Sequence, residues 1–576
     1  MSTLKLRTPA GGSISLTPTD TASNVTLTLP ASTTSLVDSA SLAASGGSAL
    51  VGYLPAGTGA VATTVQGKLR ESVSVLDFGA VGDGVTDDTA AIQAALNSGK
   101  SIYFPIGVYL TDPLTIPYAA RGAVYFGDGF YHYGATQQTV IKAKTAAQAN
   151  IFALADGANN ITFTNLRIDG DSKAVCCIDG TYGAFFGLEN VGVYGSTGYA
   201  FKGRQGLARI NRVYSGSHAA IGFEIYSDSA ITNSEFTGGT EPLRLVAGGN
   251  RLNNVWANSG SVSCLTLTPL NVSTTHINTS ITNLYTGETL GGVSEVPIVK
   301  IQGLPSQLVQ QVQIGVSHVV CASAPDKINI GIFADYVRDI SVTGVTFLGN
   351  SSPTATRYLK NAVSMSNAQN VSICGGVIKH CTKNPIVLGA ACYNINVSGV
   401  PFSEWATSIA AGTEGAAILC SDANNFGAIT GCSLDISGAS AVPYFMEGGS
   451  ASRFSVVGNL LRYSNTASWV SSSGYTPGGW QFLGAAPRVQ GQLSGFATYD
   501  PPSLVDGAGA TTTLTVTGAA LGDAVTGVSF SLDLQGIIVT GWVSAANTVS
   551  VRFQNESGGT LDLASGTLRA RVQKLI

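Results

Sequence analysis

VSVLDFGAVGDGVTDDTAAIQAAL, residues 73–96, divides into a strand, a glycine-rich turn and one short helix. Val73, Val75 and Phe78 supply the apolar strand positions. Gly79, Gly82 and Gly84 give the turn backbone conformations that a β-carbon would forbid. Thr86 is placed as the N-cap, which sets Asp87 and Asp88 in the first helical turn against the positive end of the helix dipole. Ile92, Ala95 and Leu96 recur at i, i+3 and i+4, one narrow apolar face for a helix over Asp87–Leu96. A calcium-binding EF-hand is excluded, because the acids do not alternate and the closing Glu is missing.

C-terminal to this stretch, an internal repeat runs to about residue 470. It reads ITFTNLRIDG, FGLENVGVYG, ARINRVYSG, ITNSEFTGG, LNNVWANSG and ITNLYTGE, then VTGVTFLGN and VSGVPFSE. Aligned on Asn165, Asn190, Arg212, Asn233, Asn254 and Asn283, its spacings are 25, 22, 21, 21 and 29 residues. One coil of a parallel β-helix per repeat fits this pattern, since each coil can bury its inner face only by stacking on the next. Asn at the recurring corner tolerates the left-handed backbone and can bond to the neighbouring turn. Leucine-rich repeats are excluded by their missing Leu spacing. N-terminal to the opening stretch, residues 1–72 are rich in Thr, Ser, Ala and Gly. SISLTPT and NVTLTLP there are strand-like, and GSALVGYLPAGTGAVATTVQGKLRES reads as extended. Residues 471–500 carry Gly, Pro and aromatics without period and read as a junction. Residues 501–576 hold five alternating strands, TTTLTVTG, VSFSLDL, IIVTGWVSA, TVSVRFQN and TLRARVQKL, expected as an antiparallel β-sandwich. The fold class is therefore all-β.

Composition excludes several functions. Of 576 residues, 11% are charged and 44% hydrophobic, with 70 Gly and only 3 Met, a balance that favours strands. A net charge of −4 gives no electrostatic ground for nucleic-acid binding. No apolar run reaches the ~20 residues of a membrane helix, so membrane insertion is not expected. MSTLKLRTPAGG lacks the apolar core of a signal peptide, so synthesis in a cytosol is expected. The nine Cys show no CxxC pair and no His at zinc spacing, so they read as free, buried core residues, with no metal or cofactor. GxSxG, HExxH and P-loop motifs are absent.

DFGAVGDGVTDD and AIQAAL together resemble the opening of pectate-lyase-like right-handed β-helices in bacteriophage tailspikes. The resemblance implies that the short helix caps the first coil. It also implies a homotrimer in the phage virion, docked on tail or baseplate proteins through an N-terminal part that joins at TTVQGKLRESVSVLDFGA. The C-terminal module would assist trimerisation or bind sugar. The expected partner is a bacterial surface polysaccharide, capsule or O-antigen, which is bound and cleaved.

The repeat predicts which side chains stack about 4.8 Å apart on the outer surface. Two positions after the corner the column is Arg167, Gly192, Tyr214, Glu235, Trp256 and Tyr285. Aromatics beside a carboxylate suit the C–H faces and hydroxyls of sugars, with a gap at Gly192; the same aromatics would equally cover a seam with a neighbouring subunit. A second column, from CIDG, FKG, FEI, LRL, LTL and VKI, is Asp179, Lys202, Glu224, Arg244, Thr266 and Lys300. Alternating charges there form a salt-bridge ladder or hold an acidic pair. Asp179 and Glu224, two rungs apart, are ~9–10 Å from each other at the backbone, near the ~6.5–9.5 Å of an inverting glycosidase. Hydrolysis is the favoured chemistry, with Glu235 as the acid made weaker by Trp256 and Glu224 as the base kept ionised by Lys202 and Arg244. Lys202, Tyr214 and Arg244 would instead serve a β-eliminating lyase. A glycan-binding adhesin and a purely structural spike are the non-enzymatic alternatives. Asp169, Asp171, His218, His276, His318 and His380 read as structural, and Asp335 and Arg338 as a local pair.

Overall fold

A computed structural model describes residues 4–7, 13–16, 39–130, 137–274, 276–287, 295–320, 328–349, 358–403, 416–422, 424–435, 444–448, 453–457, 459–462, 468–470, 481–483 and 492–573. The chain divides into two compact units, Met1–Glu71 and Ser72–Ile576. In the first, Leu4–Arg7 pairs antiparallel with Ser13–Leu16. Turns of helix form at Ser39–Ala43, Gly47–Leu50 and Val65–Leu69, and the second and third make the segment read as extended partly helical. Thr64 caps the last of these, its hydroxyl accepting from Gly67 N at 3.0 Å. Such a cap, with Ala, Leu and Gln in place, outweighs weak strand patterning. NVTLTLP lies outside the described residues.

The second unit opens with two departures from the sequence expectation. Only Ser72–Ser74 is strand; Val75–Phe78 is a 3-10 turn. A capping box holds it: Leu76 N donates to Ser74 Oγ at 3.2 Å and Ser74 N to Asp77 Oδ2 at 2.8 Å. The helix spans Thr89–Asn97 and so begins after Asp87 and Asp88. Asp83 takes the amides of Val85 and Thr86 within the strand Asp83–Asp87, so Thr86 is not the cap. Asp88, 1% exposed, turns back and accepts from Val81 N at 2.7 Å and Gly82 N at 3.2 Å. It thereby ties the glycine turn to the helix start. Ile92, Ala95 and Leu96 are fully buried, as the spacing predicts. Gln93 donates to Thr115 O at 2.8 Å and accepts from Thr115 N at 2.9 Å, pairing a strand edge that the first coil would leave open.

From Ser72 onward the chain forms a right-handed parallel β-helix: among the described residues, 37 strands, two of them ahead of the cap helix, join one sheet in which each coil pairs in parallel with the next. Asn165, Asn190, Arg212, Asn233, Asn254 and Asn283 all have φ between 49° and 55°, so the alignment on them found the true corner. Asn190 donates to Asn165 at 2.9 Å, Asn254 to Asn233 at 2.8 Å and Asn283 to Asn254 at 3.1 Å. Arg212 interrupts this ladder, and Asn233 donates to Asn211 instead. Inside, aromatic rings run from Phe163 through Phe186, Phe201 and Phe223 to Phe236, with centroids 4.9–5.7 Å apart. Of the eight described cysteines, seven are buried and Cys374 is exposed.

The C-terminal sandwich has its own apolar core, including Leu514, Val551, Phe553 and Leu568. It contains six strands in two sheets of three rather than five strands. The sixth, Gln492–Tyr499, comes from the stretch read as a junction and pairs antiparallel with Gly566–Gln573. Its Gly and small residues weaken the alternation on which strand recognition depends.

Candidate functional site

Parallel pairing at the corner fixes the first outward column. Arg167, Gly192, Tyr214, Glu235, Trp256 and Tyr285 are successive register partners, and His318 continues the column. Tyr214, Glu235, Trp256 and Tyr285 line one cavity of about 380 Å³, together with Arg212 and the corner carboxamides of Asn233, Asn254 and Asn283. Trp256 is 44% exposed and its ring lies 4.4 Å from that of Tyr285. Glu235 is half-buried between the aromatic rungs. Burial pushes its carboxyl pKa above the usual range. Among the described residues no hydrogen bond or ion pair engages it, so its proton is not committed to the fold.

The lower end of this column differs from the expectation. Arg167 donates to Asp169 Oδ2 at 2.6 Å and its guanidinium lies 4.2 Å from the centre of the Tyr194 ring, so this cation serves the local structure. The gap at Gly192 is closed: a β-carbon there would fall 2.7 Å from the Tyr194 ring and 2.8 Å from that of Phe130. Asp171 pairs with Lys142 and Lys173 at 3.0 and 2.8 Å.

The second column also keeps the predicted register, Asp179, Lys202, Glu224, Arg244, Thr266 and Lys300. It does not gather an acidic pair. Asp179 Oδ1 accepts from Thr181 N at 3.0 Å and from the Thr181 hydroxyl. Glu224 is 1% exposed and clamped by Arg204 at 3.0 Å and Arg244 at 3.5 Å. Arg204 takes the place expected of Lys202, whose amine instead lies 5.5 Å from the Tyr199 ring centre. Arg244 also pairs with the buried Glu241, which accepts from Thr266 Oγ1 at 2.7 Å. No residue of this column lines the Glu235 cavity.

The histidines divide. His218 is buried between Ser196 and Ser215, at 2.9 and 2.7 Å, and burial lowers its pKa to about 3. His276 is buried likewise, at about 4. His318 is exposed, 6.4 Å from the Tyr285 ring. Among the described residues no three His, Cys, Asp or Glu side chains are grouped as metal ligands would be. Sequence reasoning missed Arg212 as a cavity residue. Its mark was visible, a single Arg in a column of corner Asn, but the position read only as a corner.

Residues 72–289 match the family model described as rhamnogalacturonase A/epimerase, pectate lyase-like. Depolymerase 1 of Klebsiella phage K5-2, described as capsule-specific, is 32% identical over 171 residues, 28% of this chain and 20% of that protein. Mannuronan C5-epimerase AlgE4 of Azotobacter vinelandii is 35% identical over 109 residues, 17% of this chain and 19% of the enzyme. The tail spike protein of Shigella phage Sf6 is 28% identical over 131 residues, 22% of this chain and 21% of that protein. The chain thus matches about a fifth of the length of each of these relatives. Among solved structures, a tailspike protein of E. coli bacteriophage HK620 superposes with a TM-score of 0.53 at 12% identity, over 93% of this chain and 99% of that one. At that identity the likeness is one of fold. The resemblance carried by DFGAVGDGVTDD is thus matched by a pectate-lyase-like family model through residue 289, and a phage depolymerase and a phage tail spike are among the proteins similar to this chain.

Proposed function

We propose that this chain is a phage tailspike depolymerase that binds a bacterial surface polysaccharide, capsule or O-antigen, and cleaves it at the cavity around Glu235. In this reading it works as a homotrimer, made in the host cytoplasm and built into the virion through residues 1–72. Residues 73–470 present the glycan surface, 471–500 join the parts, and 501–576 assist trimerisation or bind sugar. Three-fold assembly would multiply weak glycan contacts through avidity.

The observation that carries this is a half-buried carboxyl, raised in pKa and, among the described residues, unpartnered, between the half-buried Tyr214 and the exposed Trp256. A sugar stacked on Trp256 would sit one rung, about 4.8 Å, from Glu235. A group with a pKa moved toward neutrality is a better proton-transfer catalyst at working pH. Among the described residues Glu235 is the only acidic one lining the cavity, and the exposed Arg212 lines it too. A base and a cation lining one cavity suit β-elimination from an acidic glycan, the cation stabilising the enolate. Hydrolysis is the second reading, favoured by the raised carboxyl as a general acid, and it requires a second carboxylate at the cavity. Glu224, held by two arginines, is assigned to the fold.

The test is cleavage of purified capsule and O-antigen polysaccharides by the intact protein. Unsaturated, ultraviolet-absorbing ends identify elimination, new reducing ends without them identify hydrolysis, and retention without products identifies an adhesin. Glu235→Gln is expected to lower cleavage by about 10²–10⁴-fold, while Trp256→Ala weakens binding. Wild-type turnover by a correctly assembled Glu235→Gln variant overturns the assignment.

A further inference from the structure

A second cavity, of about 400 Å³, lies farther along the β-helix at a different corner. Arg338, the residue before the left-handed Asp339, lines it. The sequence pairs Arg338 with Asp335, but the structure does not. Asp335 accepts from Gln302 at 3.1 Å and from Asn367 at 2.9 Å, and Asp339 accepts from Asn370 at 2.8 Å. Both nearby carboxylates are thus engaged with amides. Among the described residues Arg338 has no ion pair, and its Nε is buried without a hydrogen-bond partner. Buried polar groups in folded proteins are almost always satisfied, and an unsatisfied guanidinium N–H is costly to hold.

The surroundings are those of a recognition pocket. Register places Gln310, Arg338, Gln369 and Tyr393 on successive coils, so two carboxamides flank the cation and an aromatic ring follows. The Tyr393 ring stacks on Phe426 at 5.7 Å, which fixes its orientation. Tyr336 and Asn367 also line it, and among the described residues no acidic one does. Amides, a tyrosine face and one cation are what a sugar carrying a carboxylate presents hydrogen bonds, C–H surface and charge to. A volume of this order falls in the range of small-ligand sites, about 300–1,000 Å³.

We propose that the Arg338 cavity is a second saccharide subsite, selective for a sugar residue that carries an anionic group. It is separate from the Glu235 cavity. In its own coil the residue that continues the Glu235 column is Thr346, eight positions on and across a corner. The left-handed turns at Asp339 and Gly344 lie between the two positions, and the two cavities share no lining residue. The subsite would hold a second stretch of the polymer while the first is processed. The proposal rests on the polysaccharide reading above, and the following experiment separates the two.

The intact protein is titrated with tetragalacturonate, with maltotetraose as the neutral control, by calorimetry at low and high salt. Two binding sites per chain are expected for the acidic oligomer, both weakened by salt, and none of comparable strength for the neutral one. Arg338→Gln is expected to remove one site or weaken it at least tenfold, and Arg338→Lys to restore part of it, with melting temperatures checking the fold. Arg212→Gln is expected to affect only the other site. If Arg338→Gln and wild type bind alike, or the neutral oligomer binds equally, the subsite is refuted while the Glu235 reading stands. If wild type has a single site that Arg338→Gln abolishes, the subsite stands and the Glu235 cavity loses its acidic glycan. Absence of any binding refutes the proposal.

Discussion

Glu224→Ala removes a carboxylate that is 1% exposed and accepts from Arg204 Nε at 3.1 Å and Nη2 at 3.0 Å, with Arg244 Nη1 at 3.5 Å. Deleting one member of a buried ion pair costs about 3–5 kcal/mol, because the remaining charge stays buried without its partner. Here the discount is readable. The two arginine side chains retain 31% and 28% exposure, and Arg244 keeps Glu241. Water and Glu241 therefore recover part of the loss, which leaves about 2–4 kcal/mol. Glu224→Gln keeps an acceptor for Arg204 but turns an amide toward Arg244, and about half that loss is expected. A change of about 3 kcal/mol is roughly a hundredfold in the folding equilibrium. The assay is denaturant unfolding of the intact protein, read as an unfolding rate at fixed denaturant if refolding fails. Cleavage by the folded variants should stay near wild type. A stability loss below about 0.5 kcal/mol would mean that the carboxylate is not clamped. A variant as stable as wild type but inactive would return Glu224 to the chemistry.

Two further outcomes follow from the fold. Lys144, 2.7 Å away, and the Thr89 hydrogen bonds hold Asp87 at a pKa of about 2, below the ordinary 3.8. A carboxyl depressed in the folded state contributes stability above its unfolded pKa and loses it as pH falls through the folded one. Lys144→Met should therefore flatten the fall in stability between about pH 4 and 2, and an unchanged slope would refute the pairing. Asn254→Ala loses the bonds to Asn233 and from Asn283 and places Ala at φ 55°, for an expected loss of about 1–3 kcal/mol in unfolding measurements. Asn254→Gly should lose less, because it relieves the backbone term, and an Ala variant as stable as wild type would dismiss the ladder.

The corners and the two columns were legible because they follow from local constraints. Asn at 165, 190, 233, 254 and 283 marks a backbone that must turn left-handed, and this requirement acts residue by residue. Once the corners are aligned, parallel pairing carries the register outward, which is how Glu235 and Trp256 came to be neighbours before any coordinates. The helix start was misplaced because the amides that a cap at Thr86 would need have other acceptors. Asp88 N donates to Leu110 O at 2.9 Å and Thr89 N to Asp87 Oδ1 at 3.1 Å.

What the sequence determined by itself is therefore which residues share a rung and which face of the coil they occupy. Only the tertiary structure decided which of them remain available for a ligand. Arg167 and Glu224 were candidates on sequence grounds, yet Asp169 and Tyr194 occupy the one and Arg204 and Arg244 the other. Arg338, paired on paper with Asp335, is left without it because Gln302 and Asn367 reach that carboxylate first. Long side chains choose among partners one coil above or below, about 4.8 Å away. The choice depends on rotamer, burial and competing donors from segments tens of residues distant, none of which a repeat pattern encodes.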